Sequence, residues 1–181
     1  MKTESNVMYI LRLALTLLAI TAVVAAALAG VNSITAPAIA ELNAKKTQEA
    51  IELVLPGGGE AVDFPETALV SKVYASDSGY AVEVTPGGFD NTITMMVGVD
   101  KAGSVLGISV ISHTETAGLG AVAAAGTPAG EAFRNEFVGA TGSVSVTKDG
   151  GEVEAITGAT ITSRAVCVGV NAALEVVGKM G

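Results

Sequence analysis

A chain of 181 residues has room for one domain and an extra segment, and half of its residues are hydrophobic. Eighteen acidic against ten basic side chains give a net charge of −8, and the basic residues are scattered singly, so no nucleic-acid-binding stripe is present. One cysteine (Cys167) and one histidine (His113) supply neither an internal disulfide nor the ligand spacing of a metal site, so the fold must be held by its apolar core.

The extra segment is N-terminal. From Leu13 to Ala40 there is no charged residue, and residues 13–31 alone give nineteen mostly apolar positions, enough to cross a hydrocarbon layer of about 30 Å. Lys2 and Arg12 precede this span and only Glu4 among the acids lies before Glu41. That asymmetry places residues 1–12 in the cytoplasm and the chain beyond the span outside it. A cleaved signal peptide is the competing reading, with Ala27-Leu28-Ala29 as its cleavage site. The apolar stretch is longer than an ordinary signal core, which favours an uncleaved anchor. A pilin-like assembly helix, the third reading, lacks a cleavage signature. Beyond the anchor, Ile39, Leu42, Ile51 and Leu55 recur at helical intervals and predict a helix over 36–55, stopped by Pro56-Gly57-Gly58-Gly59. Residues 32–59 read as a helical stalk, or as the first helix of the domain, and residues 60–181 as the domain itself.

Four strand-like runs come next, at 68–75, 80–85, 92–99 and 104–112. Asp77-Ser78-Gly79, Pro86-Gly87-Gly88 and Lys101-Ala102-Gly103 separate them, and such short turns predict antiparallel pairing. Residues 130–138 read as a short helix with Phe133 and Phe137 on one face. Residues 143–156, interrupted by Lys148-Asp149-Gly150-Gly151, read as a hairpin. The last helix is expected from Thr160 or Thr162 to about Gly178, with Val166, Cys167, Val170, Ala173, Leu174 and Val177 on its apolar side. Cys167 on that stripe reads as a small buried hydrophobe. The fold class is therefore α+β: an N-terminal transmembrane helix and stalk, then an antiparallel sheet domain closed by a C-terminal helix.

Two segments carry chemistry. Thr157-Gly158-Ala159-Thr160-Ile161-Thr162-Ser163 crowds four hydroxyls into the mouth of the last helix. A helix N-terminus offers unpaired N–H groups and roughly half a positive charge, so hydroxyls there can bind a phosphate or be esterified by one. One hydroxyl would suffice to cap the helix, and capping is the plainer reading of any single one. The second segment, Ser112 to Gly120, holds His113, Glu115 and Thr116, then Gly118, Leu119 and Gly120. It reads as a loop at a strand end whose glycines allow positive φ and close approach to a flat ligand. Read alone, His113 is an ordinary turn or surface histidine.

Taken together, His113-Thr114-Glu115-Thr116-Ala117-Gly118-Leu119-Gly120 and Ile156-Thr157-Gly158-Ala159-Thr160-Ile161-Thr162-Ser163-Arg164-Ala165-Val166 resemble the FMN-binding domain family. Within it the likeness is greatest to the G subunit of Rnf electron-transport complexes, related to the C subunit of the sodium-pumping NADH:quinone oxidoreductase. The resemblance covers about residues 66–177. It implies that the last Thr of the Thr-Gly-Ala-Thr run, Thr160, carries FMN through a phosphoester, with Thr157, Gly158, Ala159, Thr162 and Ser163 around it. It implies that His113, Glu115, Thr116, Gly118, Leu119 and Gly120 shape the flavin pocket. It further implies a flavin transferase for maturation, other redox and membrane subunits as partners, and an electron-carrying role outside the cytoplasm. Two positions depart from the family pattern. Glu154 stands where the transferase-associated Asp is usual, keeping the charge and adding a methylene, and Ala117 stands where Pro is frequent. A flavin domain serving another extracytoplasmic reductase or sensor, and a cofactor-free accessory protein, are the readings from other classes.

Overall fold

The computed structural model describes residues 2–65 and 67–180. It divides into two compact units, one up to Ala44 and one from Lys45. The first consists of helix, part of α1 (Lys2–Val54). Every described side chain from Asn6 to Lys46 is exposed, including Leu17, Leu18, Ile20, Val24, Leu28 and Val31. An apolar helix that buries nothing against protein is stable only in an apolar solvent. The hydroxyls within it are consumed locally, as lipid requires: Thr16, Thr21, Ser33 and Thr35 each donate to carbonyls three or four residues earlier. The chain is thus membrane-anchored through this helix.

The second unit is built on an antiparallel sheet in simple meander order: β1 (Glu60–Val62), β2 (Val70–Ala75), β3 (Gly79–Val84), β4 (Thr94–Asp100) and β5 (Val105–Ser112). The four expected strands appear within two residues of their predicted limits. β1 is additional, pairing Glu60 with Ala75 and Val62 with Val73. Its three residues are too few to show alternation, and the glycine run before them hides the start.

Alternation along the central strands sends side chains to two covered faces. Val82, Val84, Met95, Val97 and Val99 face the main core, where they meet Val166, Val170, Ala173 and Val177 of α3 (Thr160–Met180). Phe133 of α2 (Pro128–Asn135) and Phe137 just beyond it join this core, their rings edge to face with centroids 5.4 Å apart. Cys167 lies in the same layer, and burial pushes its thiol pKa up to about 11. The opposite face carries Ala81 and Met96, covered by Ala50, Ile51 and Val54 from the end of α1 and by Leu55 just beyond it. Gly98 makes that cover possible, because a Cβ there would collide with the Val54 carbonyl. The predicted stripe over 36–55 is therefore buried only in its last turns, while Ile39 and Leu42 stay exposed.

One expectation fails. Residues 143–156 do not form a hairpin: Val146 and Val153 make an isolated parallel bridge around a 3-10 turn, Thr147–Asp149. The strand-like valines misled the reading, since both are buried as core plugs rather than as a ladder.

Candidate functional site

The two motifs meet. α3 begins at Thr160, and the carbonyl of Ala159 accepts its first turn's hydrogen bond from Ser163 N–H at 3.0 Å. Ala159 therefore occupies the cap position, where alanine has no oxygen to offer. Among the described residues, the N–H groups of Thr160, Ile161 and Thr162 find no acceptor. The hydroxyl cluster does not cap this helix. It leaves three donors aimed past the helix end, which suits an anion.

Each hydroxyl has its own place. Ser163 is fully buried and braces the entry to α3: its Oγ donates to Ala159 O and accepts from Ile156 N–H, both at 3.0 Å. Thr162 is buried and donates to Glu115 Oε2 at 2.6 Å. Thr157 is exposed in the turn before the helix. Gly158 comes next at φ +77°, a left-handed conformation that sets the direction from which the chain enters α3. Thr160 is half-buried, and its Oγ1 accepts from Lys148 Nζ at 3.1 Å.

A cavity of about 310 Å³ opens above this turn. Thr160, Gly158, Ala159 and Thr162 form one side, with Ile161. Glu115, Thr116, Leu119 and Gly120 of the loop after β5 form another, and Phe89 and Lys148 complete it. Of the residues the sequence pointed to, Thr157, Ser163, His113 and Gly118 do not line it. His113 lies behind the loop, where its Nδ1 accepts the Glu115 N–H at 3.2 Å. Gly118 stands at φ +75° in an exposed turn with open space around it.

Glu115 does more than the loop spacing suggested. The residue is 8% exposed, and each carboxylate oxygen accepts a hydrogen bond within the protein. Oε1 accepts the Phe89 N–H at 2.8 Å while Oε2 takes the Thr162 hydroxyl. The carboxylate thus ties the Pro86–Asn91 loop, the loop after β5 and the first turn of α3 into one wall. Gly120 presses against this junction, since a Cβ there would strike Glu115 Oε2 and Thr162 Oγ1. Phe89, whose ring is 66% exposed, stands at the rim.

Lys148 escaped the sequence reading because it sits in a turn-like Lys-Asp-Gly-Gly run with no motif of its own. The 3-10 turn carries it to Thr160. Its neighbour Asp149 accepts two hydrogen bonds from Arg164, at 2.6 and 2.7 Å, and these hold the Asp149 carboxyl below the usual carboxylate range and raise the guanidinium. Arg164 is thus an anchor for the turn in this structure. A larger cavity of about 520 Å³ near Asn171 offers no comparable chemistry, as the Asn171 amide is already bonded to both backbone groups of Val144.

Comparison with known proteins places the chain in a family. Residues 88–175 match the FMN-binding domain family. The G subunit of the Na(+)-translocating ferredoxin:NAD(+) oxidoreductase complex of Acetobacterium woodii is 34% identical over 97% of this chain and 95% of its own length. The G subunit of the ion-translocating oxidoreductase complex of Methanosarcina acetivorans is 34% identical over 93% and 94%. Its counterpart in the proton-translocating ferredoxin:NAD(+) oxidoreductase complex of Clostridium ljungdahlii is 31% identical over 82% and 80%. A likeness that spans nearly the whole of both chains, anchor and domain together, means that this chain belongs to the G-subunit family of ion-translocating oxidoreductase complexes.

Proposed function

We propose that the protein is the electron-carrier subunit of an Rnf-type complex and bears FMN as a phosphoester on Thr160, outside the cytoplasm. The complex would move electrons between ferredoxin and NAD while translocating ions. The observation that carries the attachment assignment is the uncapped first turn of α3, with the Thr160 hydroxyl facing the cavity and a cation beside it. Its rivals are placed less well. Thr162 is engaged with Glu115, and Thr157 lies outside the cavity.

The residues present fit FMN. Three free N–H groups and one ammonium match a phosphate, and the apolar rim of Phe89, Leu119 and Ile161 matches a flat ring. At about 310 Å³ the cavity is at the lower end of the roughly 300–1,000 Å³ usual for ligand sites. It accommodates the phosphate end and leaves the ring side open to redox partners.

When bound, FMN supplies one- and two-electron redox chemistry. The chain's own contribution is attachment, orientation and access. Thr160 provides the oxygen for the ester. A flavin transferase acting with an activated FMN donor would form the Oγ–P bond as the donor's phosphate–leaving-group bond breaks, the hydroxyl proton departing with that group. Glu154 is exposed, as an acid read by the transferase must be. Glu115 fixes the loop positions around the ring and Ser163 fixes the helix entry. No part of this domain carries a nucleotide-binding glycine fingerprint or a cysteine set for a cluster, so ferredoxin and NAD would be handled by partner subunits.

The test is Thr160→Ala in a host that supplies the transferase, read by in-gel flavin fluorescence after denaturation and by peptide mass. The expected result is wild-type protein with the FMN mass on the peptide containing Thr160, and a folded variant without it. Covalent flavin retained in the variant would move the attachment elsewhere. Wild-type protein lacking flavin in that host would favour a cofactor-free accessory role.

A further inference from the structure

Lys148 is the one basic side chain among the described residues lining the Thr160 cavity, in a chain where acids outnumber bases eighteen to ten. Its position is built rather than incidental. It occupies the middle of the Thr147–Asp149 turn. Asp149, next to it, is gripped at two points by Arg164, which lies one helical turn from Thr160 on the same side of α3. The turn's base is closed by Thr147 N–H to Val153 O at 2.8 Å and Asp149 N–H to Val146 O at 2.8 Å. One helix face therefore carries both the hydroxyl and the anchor that presents a cation to it.

We infer that Lys148 is a positioning residue for flavin attachment, holding the Thr160 hydroxyl before esterification and pairing with the phosphodiester anion afterwards. This rests on Thr160 as the attachment residue. An ammonium has three donors and no acceptor, so Lys148 orients the hydroxyl oxygen and does not remove its proton. After esterification the oxygen belongs to a singly charged phosphodiester. The same ammonium, with the N–H groups of the first turn of α3, then meets that charge through charge-assisted hydrogen bonds.

The experiment uses the full chain produced with the transferase, comparing wild type, Lys148→Met and Lys148→Arg. Intact mass gives the fraction loaded at intervals after transferase induction, and the phosphorus resonance of the loaded proteins reports the anion's surroundings. The side chain is exposed, so both variants fold, as circular dichroism will register. Lys148→Met should load roughly two- to fivefold more slowly, the scale of one exposed charged contact, and its loaded form should show a displaced phosphorus resonance. Lys148→Arg should restore both. Flavin on Thr160 with Lys148→Met loading at the wild-type rate and an unmoved resonance would overturn this role alone. Flavin on another residue of the wild-type protein would overturn the attachment assignment and this role with it.

Discussion

Glu115 shapes the site by bonding two other segments, one through each carboxylate oxygen, at the wall of the cavity it lines. A buried carboxylate must have its lone pairs met, and here a backbone N–H and a hydroxyl meet them from two other segments. Replacing it with Ala leaves the buried Thr162 hydroxyl without its acceptor and frees the Phe89 loop. Hydrogen bonds to a charged group contribute about 1.5–3 kcal/mol each, and the Phe89 amide can turn to water, so the cost should be about 2–4 kcal/mol. An unfolding free energy from urea titration that falls by this amount in Glu115→Ala, and by less in Glu115→Gln, is the expected outcome. An unchanged value in the Ala variant would mean that the three segments are held by other contacts. The loop spacing in the sequence marked Glu115 as a site residue, but only the fold reveals that its carboxylate joins the cavity wall to two other segments. His113 and Ser163 show the same pattern: both motifs were legible, whereas the direction of each side chain depended on its contacts in the folded chain. Lys148 had no legible signal, since what makes it part of the site is Arg164 reaching back across fifteen residues to Asp149.

Strands and helices with clear periodicity were legible as elements: four strands, α2 and α3 lie close to where alternation and apolar stripes put them. The segment between α2 and α3 was not, because a local pattern of valines cannot distinguish a ladder from two core plugs around a turn. That turn carries one exposed ion pair beside its backbone hydrogen bonds, and the pair is sensitive to acid. Asp149 has its folded pKa lowered by Arg164, so the contribution of the pair is present above the ordinary carboxylate value, about 3.9, and is lost as pH falls through the lowered value. Both groups are exposed, so global stability should hardly change. The expected local effect is faster amide exchange at Asp149 and Gly151 in Asp149→Asn at neutral pH, with the amide of Ser163 in α3 unaffected. Equal exchange in variant and wild type would show that the backbone hydrogen bonds to Val146 hold the turn without the ion pair.

At the scale of the molecule, two helices among the described residues are long and apolar enough to cross a membrane, and their burial separates them. The window in α3 is 61% buried in the domain core, whereas that in α1 is 0% buried. α3 therefore spends its apolar side on the sheet, and α1 is left to face lipid. With Lys2 and Arg12 before the span and the acidic domain after it, we expect a single crossing through residues 13–31 with the domain outside the cytoplasm. A covalent cofactor, as proposed, would suit that side of the membrane, since a flavin lost there could not readily be replaced. The domain is closed by its own core on both faces of the sheet, so it should resist cleavage itself while the exposed helix between the bilayer and Ala50 does not. Protease added to cells stripped of any outer barrier should thus release an intact domain of about the mass of residues 45–181, carrying the flavin fluorescence if Thr160 bears FMN. A domain fully protected until the membrane is broken would place it on the cytoplasmic side and reverse the orientation of α1. Release of the domain without protease, leaving no membrane-bound chain, would instead identify the apolar segment as a cleaved signal.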